Sequence, residues 1–123
     1  RSSCSRNNIW RVIKFNWWIM RQKILNLLGL ATRAGLLVSG EDTVIDAIQR
    51  KKAKIVFLGN DASSNTLDKF QKKCFFYKIE LNTMFTSEDL SCSIGKNRMV
   101  LAILDEGFYK SIKKYLGGVE NEG

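Results

Sequence analysis

"KIVFLG", Lys54 to Gly59, is the stretch whose reading decides the fold. A continuous apolar run bounded by turn residues is expected of a strand covered on both faces. Such a strand belongs in the middle of a sheet. Downstream, "NDASSN" reads as a loop, and Leu67, Phe70 and Cys74 mark a helix ending around "KKCFFY". "YKIEL" alternates and reads as a strand. "TSEDLSCSI" opens with a capping pattern, Thr86 and Ser87 to Glu88 and Asp89, and predicts a short helix. "MVLAIL" is a second fully apolar strand, and Phe108, Ile112, Tyr115 and Leu116 line the face of a last helix before the acidic tail "GGVENEG".

Upstream of Lys54 the pattern is again helical. Val44, Ile45, Ala47 and Ile48 form the buried face of a helix that runs out in Arg50, Lys51 and Lys52, where cations complement the helix dipole. Gly40 marks a turn, "LLV" before it a short strand, and Ile24, Leu25, Leu27, Leu28 and Ala31 a helical stripe ending near Gly35, a good left-handed cap. Helices alternating with short strands, some wholly apolar, predict an α/β domain with one sheet between helix layers.

At 123 residues the chain fits one domain, able to bury roughly two thirds of its unfolded surface. Three widely spaced cysteines and no histidine indicate neither a disulfide framework nor a zinc site, and point to a reduced, cytoplasmic protein. No run approaches the ~20 apolar residues of a membrane span. The formal net charge is +8, and residues 1 to 19 carry four of the 20 basic residues and no acid. That segment also holds all three tryptophans, Trp10, Trp17 and Trp18, without sustained periodicity. It reads as a leader outside the fold, or alternatively as a basic aromatic arm that stacks on nucleic acid. The folded domain is expected over residues 20 to 116, with 117 to 123 a flexible tail.

No enzyme mechanism can be assembled from these residues. The lack of histidine removes the commonest general base and metal ligand. Cys74 lies on an apolar helix face, where an inert buried thiol is expected; Cys92 is more open. Asp105 and Glu106 adjoin a strand end but also precede a helix, whose N-terminus favours negative charge. "GNDASSN" and "SIGKNR" have neither P-loop nor dinucleotide-binding spacing. No cofactor is called for.

The run "LLGLATRAGLLVSGEDTVIDAIQRKKAKIVFLGNDASSNT", followed by "KKC", "TSEDL", "SIGKNR" and "DEGF", resembles the bacterial YlxQ-type branch of the kink-turn RNA-binding ribosomal-protein superfamily. The resemblance covers nearly everything from Met20, where such proteins usually start, to about Leu116. It implies a three-layer α/β/α sandwich around a mixed sheet of about four strands. It also implies a non-enzymatic protein that binds kinked or ribosomal RNA at tandem sheared G·A pairs, with the ribosome or its assembly factors as wider partners. Gly40 matches the family's turn glycine, which lets backbone approach RNA closely. Asp42 and Thr43 stand where ribosomal members carry an Asn-Glu pair reading guanine edges, and Glu41 adjoins them as a second acceptor. Ile94, Gly95, Lys96, Asn97 and Arg98 fall in the second recognition loop, where the family packs an apolar residue against extruded bases. Lys96 and Arg98 would supply phosphate contacts.

The chain departs from the pattern at three places. Leu36 and Asp46 replace lysines common in this branch, and Ser91 replaces a glycine after the leucine of "DL". The two missing cations leave a second reading open, a protein-interaction module on the same fold. The acidic run Glu41, Asp42, Asp46 also has a local explanation: Ser39 or Gly40 caps the helix, the first two acids complement its dipole, and Asp46 pairs with Arg50 four residues on.

Overall fold

The computed structural model describes residues 3–116, with side chains from residue 19 onward. Within them the order is α1 (Ser3–Ala34), β1 (Leu37–Ser39), α2 (Glu41–Gln49), β2 (Ile55–Leu58), α3 (Ser64–Tyr77), β3 (Glu80–Asn82), α4 (Ser87–Ile94), β4 (Val100–Ile103) and α5 (Glu106–Leu116). The two wholly apolar strands are neighbours, as burial on both faces requires. The sheet order is β1-β4-β2-β3; β4 runs antiparallel to β1 and β2, and β2 runs parallel to β3.

Every residue of β2 and β4 is buried, and the two-residue period of a strand divides them between two cores. Ile55, Phe57, Leu101 and Ile103 pack with Ile24, Leu28, Leu90 and Ile112, beneath α1, α4 and α5. Val56, Leu58, Val100 and Ala102 pack with Val44, Ile48, Phe70 and Cys74, beneath α2 and α3. The result is the expected three-layer α/β/α sandwich with a mixed four-stranded sheet. Each fully buried Ile, Leu or Phe contributes on the order of 1.5–3 kcal/mol, so β2 and β4 anchor both layers at once.

Two boundaries differ from the sequence reading. The first helix starts at Ser3 rather than near Gln22. With no proline in the chain, nothing in the backbone stops a helix there, and apolar periodicity reports burial rather than helicity. The side chains of Trp10, Trp17 and Trp18, on which the aromatic-arm reading depends, lie outside the described residues, as does the tail from Gly117 to Gly123. The strand expected in "YKIEL" begins later, at Glu80. Tyr77 still ends α3, and Lys78 closes it in the left-handed region at φ 58°, where the Lys78 and Ile79 N–H groups donate to Phe75 and Cys74 carbonyls. The helix-ending bonds take the residues that alternation alone assigns to the strand.

The sheet register defines two ends. At one, Gly40 N–H donates to the Val100 carbonyl at 3.1 Å and Gly59 N–H to that of Met99 at 2.9 Å. At the other, Lys54 N–H donates to Ile103 at 2.7 Å and Leu104 N–H to Leu36 at 2.9 Å.

Candidate functional site

The turn after β1 and the loop after α4 meet at the Gly40 end, although more than fifty residues separate them in the chain. They line an open cleft of about 370 Å³ formed by Ser39 to Thr43 on one wall and Asn97 to Val100 on the other. The antiparallel pairing of β1 with β4 produces this meeting, because it sets Ser39 opposite Leu101. Gly40 occupies φ 100°, ψ 142°, a conformation that L side chains rarely adopt, and it is the N-cap of α2. No side chain caps that helix, and its first-turn residues Glu41, Asp42 and Thr43 line the cleft. Of the two caps expected, Gly40 takes the position and Ser39 does not.

Arg98 reaches across from the other wall. A methyl group added at Gly40 would lie 3.7 Å from Arg98 Nε and 3.9 Å from Thr43 Oγ1, so the cation lies over the turn. Two hydroxyl hydrogen bonds hold the Arg98 backbone: Ser91 Oγ donates to the Arg98 carbonyl at 2.7 Å and accepts from the Arg98 N–H at 3.0 Å. Arg98 N–H also meets the Lys96 carbonyl at 2.9 Å, and Nη1 donates to the Asn97 carbonyl at 3.1 Å. Ser91 is one of the three residues that depart from the expected pattern; its hydroxyl ties the loop after α4 back to that helix.

The acidic wall divides into engaged and free groups. Glu41 pairs with Lys69 of α3 at 3.0 Å, and Asp46 with Arg50 at 3.1 Å, as its spacing predicted. Asp42, Lys96 and the Asn97 side chain are exposed and have no hydrogen-bond or ion-pair partner among the described residues. Surface pairs such as Asp46 with Arg50 contribute ~0–1 kcal/mol to stability, but they do neutralise each other's charge. Asp46 therefore presents less repulsion to an anion than its carboxylate alone would.

Among the carried-over residues, Gly40, Glu41, Asp42, Thr43, Asn97 and Arg98 line the cleft, while Gly95 and Lys96 form the exposed turn beside it. Gly95 caps α4 in the left-handed region at φ 74°. Ile94 sits elsewhere: it is 8% exposed and packs into the core beneath α1 and α4. The apolar side chain on the cleft is Met99, 42% exposed, which sequence reading absorbed into the strand. The strand's buried alternation begins only at Val100, and that one-residue offset was the available signal.

The other candidate chemistry resolves into structural roles. Asp61, in the "NDASSN" loop, accepts from Ser87 N–H at 3.1 Å and from Ser87 Oγ at 2.9 Å, and Thr86 Oγ1 accepts from Asp89 N–H at 3.2 Å, so both cap α4. The Ser87 amide, then its hydroxyl, hold the Asp61 carboxyl below its ordinary range. Asp105 accepts from Phe108 N–H at 3.0 Å and caps α5. Burial pushes the Cys74 thiol up to about 11, leaving it inert, whereas Cys92 is exposed. Among the described residues there is no group of three or more His, Cys, Asp or Glu able to hold a metal, and no helix long and apolar enough to cross a membrane.

The sandwich and its cleft define a ribosomal-protein type of domain, and the chain belongs to the ribosomal protein L7Ae/L30e/S12e/Gadd45 family, whose model matches residues 22–113. Within that family it is similar to the RNA-binding protein YlxQ of Enterococcus faecium, 45% identical over 98 residues that span 80% of this chain and 95% of that protein. The RNA-binding protein YlxQ of Bacillus subtilis is 49% identical over 83 residues, covering 67% of this chain and 83% of its own. A Bacillus halodurans protein of unknown function superposes with a TM-score of 0.73 at 35% identity, over 77% of this chain and 97% of that one. A Giardia lamblia 15.5kD RNA binding protein shares the fold at 15% identity, with a TM-score of 0.69 over 81% and 87% of the two chains.

Proposed function

We propose that this chain is a cytoplasmic, non-enzymatic RNA-binding protein that grips kinked or ribosomal RNA in the Gly40–Arg98 cleft. The observation that carries the reading is the pairing, on facing walls, of an unpartnered carboxylate, Asp42, with a cation, Arg98, over a glycine that admits close backbone approach. A carboxylate accepts from guanine N–H groups, which sheared G·A pairs expose. The uncapped amides of α2 suit a phosphate, and Arg98 with Lys96 supplies the salt-dependent attraction. Glu41 is held by Lys69; Thr43 presents its hydroxyl beside Gly40; Asn97 adds an amide for a base edge; Met99 offers the apolar surface for an extruded base. Ile94 anchors the loop from the core side, and Gly95 turns the chain out of α4. Two YlxQ relatives are named as RNA-binding proteins, which supports the same class of partner here.

Fluorescence titration with a short kink-turn RNA, beside one whose G·A pairs are replaced by Watson–Crick pairs, tests the reading. Preference for the kinked RNA of at least tenfold near ~150 mM salt is expected. Equal binding to both, or binding only below about 50 mM salt, would leave bulk charge as the only attraction and refute specific recognition.

A further inference from the structure

The opposite end of the sheet carries a second feature that the cleft does not use. Parallel pairing sets Ile55 opposite Glu80, so the turns leading into β2 and β3 lie side by side on one rim. Both turns place a lysine, not a glycine, in the left-handed region: Lys51 at φ 59° and Lys78 at φ 58°. Lys51, Lys52 and Lys54 on the first turn, and Lys73 and Lys78 at the second, have no ion-pair partner among the described residues. The acids at this end are occupied, since Glu80 pairs with Lys113, Glu106 with Lys110, and Asp105 caps its helix.

Two exposed phenyl rings lie in the last turn of α3, which ends at this rim in Lys78. Phe75 is 86% exposed and Phe76 is 76% exposed, more than any other large apolar side chain described. A recess of about 300 Å³, lined by Phe75 with Gln71, Cys74, Ile79, Leu81 and Thr83, opens between α3 and β3. Exposing both rings forgoes a burial contribution that a folded core would normally collect. A partner recognised by phosphate alone would need the lysines but not the rings, and an apolar partner would need the rings but not uncompensated cations. Single-stranded RNA uses both, because bases stack on aromatic rings while lysines neutralise the backbone.

We propose that this rim is a second RNA-contact face, binding unpaired nucleotides by stacking on Phe75 and Phe76 with phosphates held by Lys51, Lys52, Lys54, Lys73 and Lys78. It is separate from the cleft, so one protein would hold a kinked helix at one end and a single strand at the other. The test uses the full chain with two probes, a labelled 12-nucleotide oligouridylate and a kink-turn duplex without single-stranded tails. The double variant F75A/F76A should weaken oligouridylate binding about tenfold or more and leave duplex binding within twofold. Its melting temperature should match the parent, since both rings are exposed. The triple variant K51Q/K52Q/K54Q should flatten the slope of log K against log salt for oligouridylate by about 2, the counterion release of three phosphates on a single strand. Arg98→Ala should do the reverse, weakening the duplex and sparing the oligouridylate, which keeps failure of the cleft reading distinct from failure of this one.

Oligouridylate binding unchanged in F75A/F76A, or lost equally in Arg98→Ala, would overturn the proposal. So would absence of oligouridylate binding by the parent chain near ~100 mM salt. Self-association abolished by F75A/F76A, with oligouridylate affinity intact, would assign the rings to a protein contact and overturn it as well.

Discussion

Substituting Ser91 by alanine removes one oxygen and should change both stability and RNA affinity. Ser91 Oγ makes a 2.7 Å bond to the Arg98 carbonyl and a 3.0 Å bond from the Arg98 N–H. Both are lost with the hydroxyl, but the N–H retains the Lys96 carbonyl at 2.9 Å and is not left unsatisfied. A typical net contribution is ~1 kcal/mol per bond, and because Arg98 is exposed, water replaces part of the loss. Thermal unfolding should therefore drop by roughly 3–5 °C, about 1 kcal/mol for a domain of this size. The affinity effect has a different origin. Without the tether, the loop must be ordered on binding, and fixing one residue's backbone costs roughly 1–2 kcal/mol. Kink-turn RNA should bind about five- to thirty-fold more weakly. Ser91→Thr, which keeps the hydroxyl, should restore both quantities. A melting temperature within 1 °C of the parent for Ser91→Ala, with affinity within about twofold, would show that the tether neither stabilises the domain nor preorganises the loop.

Three further outcomes follow from particular contacts. Asp46→Lys removes the pair with Arg50 and places a cation beside the proposed interface, so RNA affinity and the steepness of its salt dependence should both rise, the latter by about 1; an unchanged titration would show that this face of α2 points away from phosphate. Gly59→Ala would set a methyl group 2.6 Å from Ser87 N and 2.9 Å from its Cα, backbone that can move only by displacing α4, so a loss on the order of 3 kcal/mol is expected in urea unfolding. Asp61 has a folded pKa below its unfolded value because it accepts from the Ser87 amide and hydroxyl. Its contribution is complete above the unfolded value, ~3.9, and is lost as pH falls through the lower folded value. Asp61→Asn should consequently flatten the stability curve on the acid side below about pH 4, and an unaltered acid limb in denaturation melts would refute that role.

Much of the architecture was legible because two strands, "IVFL" and "VLAI", are apolar on both faces, and only a covered central position satisfies that. Caps were legible where a hydroxyl sits one position before a helix, as Thr86 does. Helix length and strand starts were less so, because hydrophobic patterning records which residues are buried, not where backbone hydrogen bonding stops. Tyr77 alternates like a strand residue yet ends a helix. At the site, residue types recovered the cleft-lining turn and loop, but Ile94 and Met99 exchange the roles their order implies. Ile94 is the last residue of α4, four after Leu90 on that helix's buried face, whereas Met99 follows the left-handed Gly95 turn and is left outward.

By itself the sequence determined the α/β class, the two central strands, the turn glycine and the acidic start of α2, all set by patterns spanning a few residues. Only the tertiary structure decided that Gly40 lies under Arg98, that Ser91 ties the loop, that Glu41 is engaged by Lys69 while Asp42 has no partner among the described residues, and that α3 ends in two exposed rings at the rim where the Lys51 and Lys78 turns lie side by side. Those relations join residues up to nearly sixty positions apart. They arise from strand order and register, which the burial of two cores selects and no local pattern encodes.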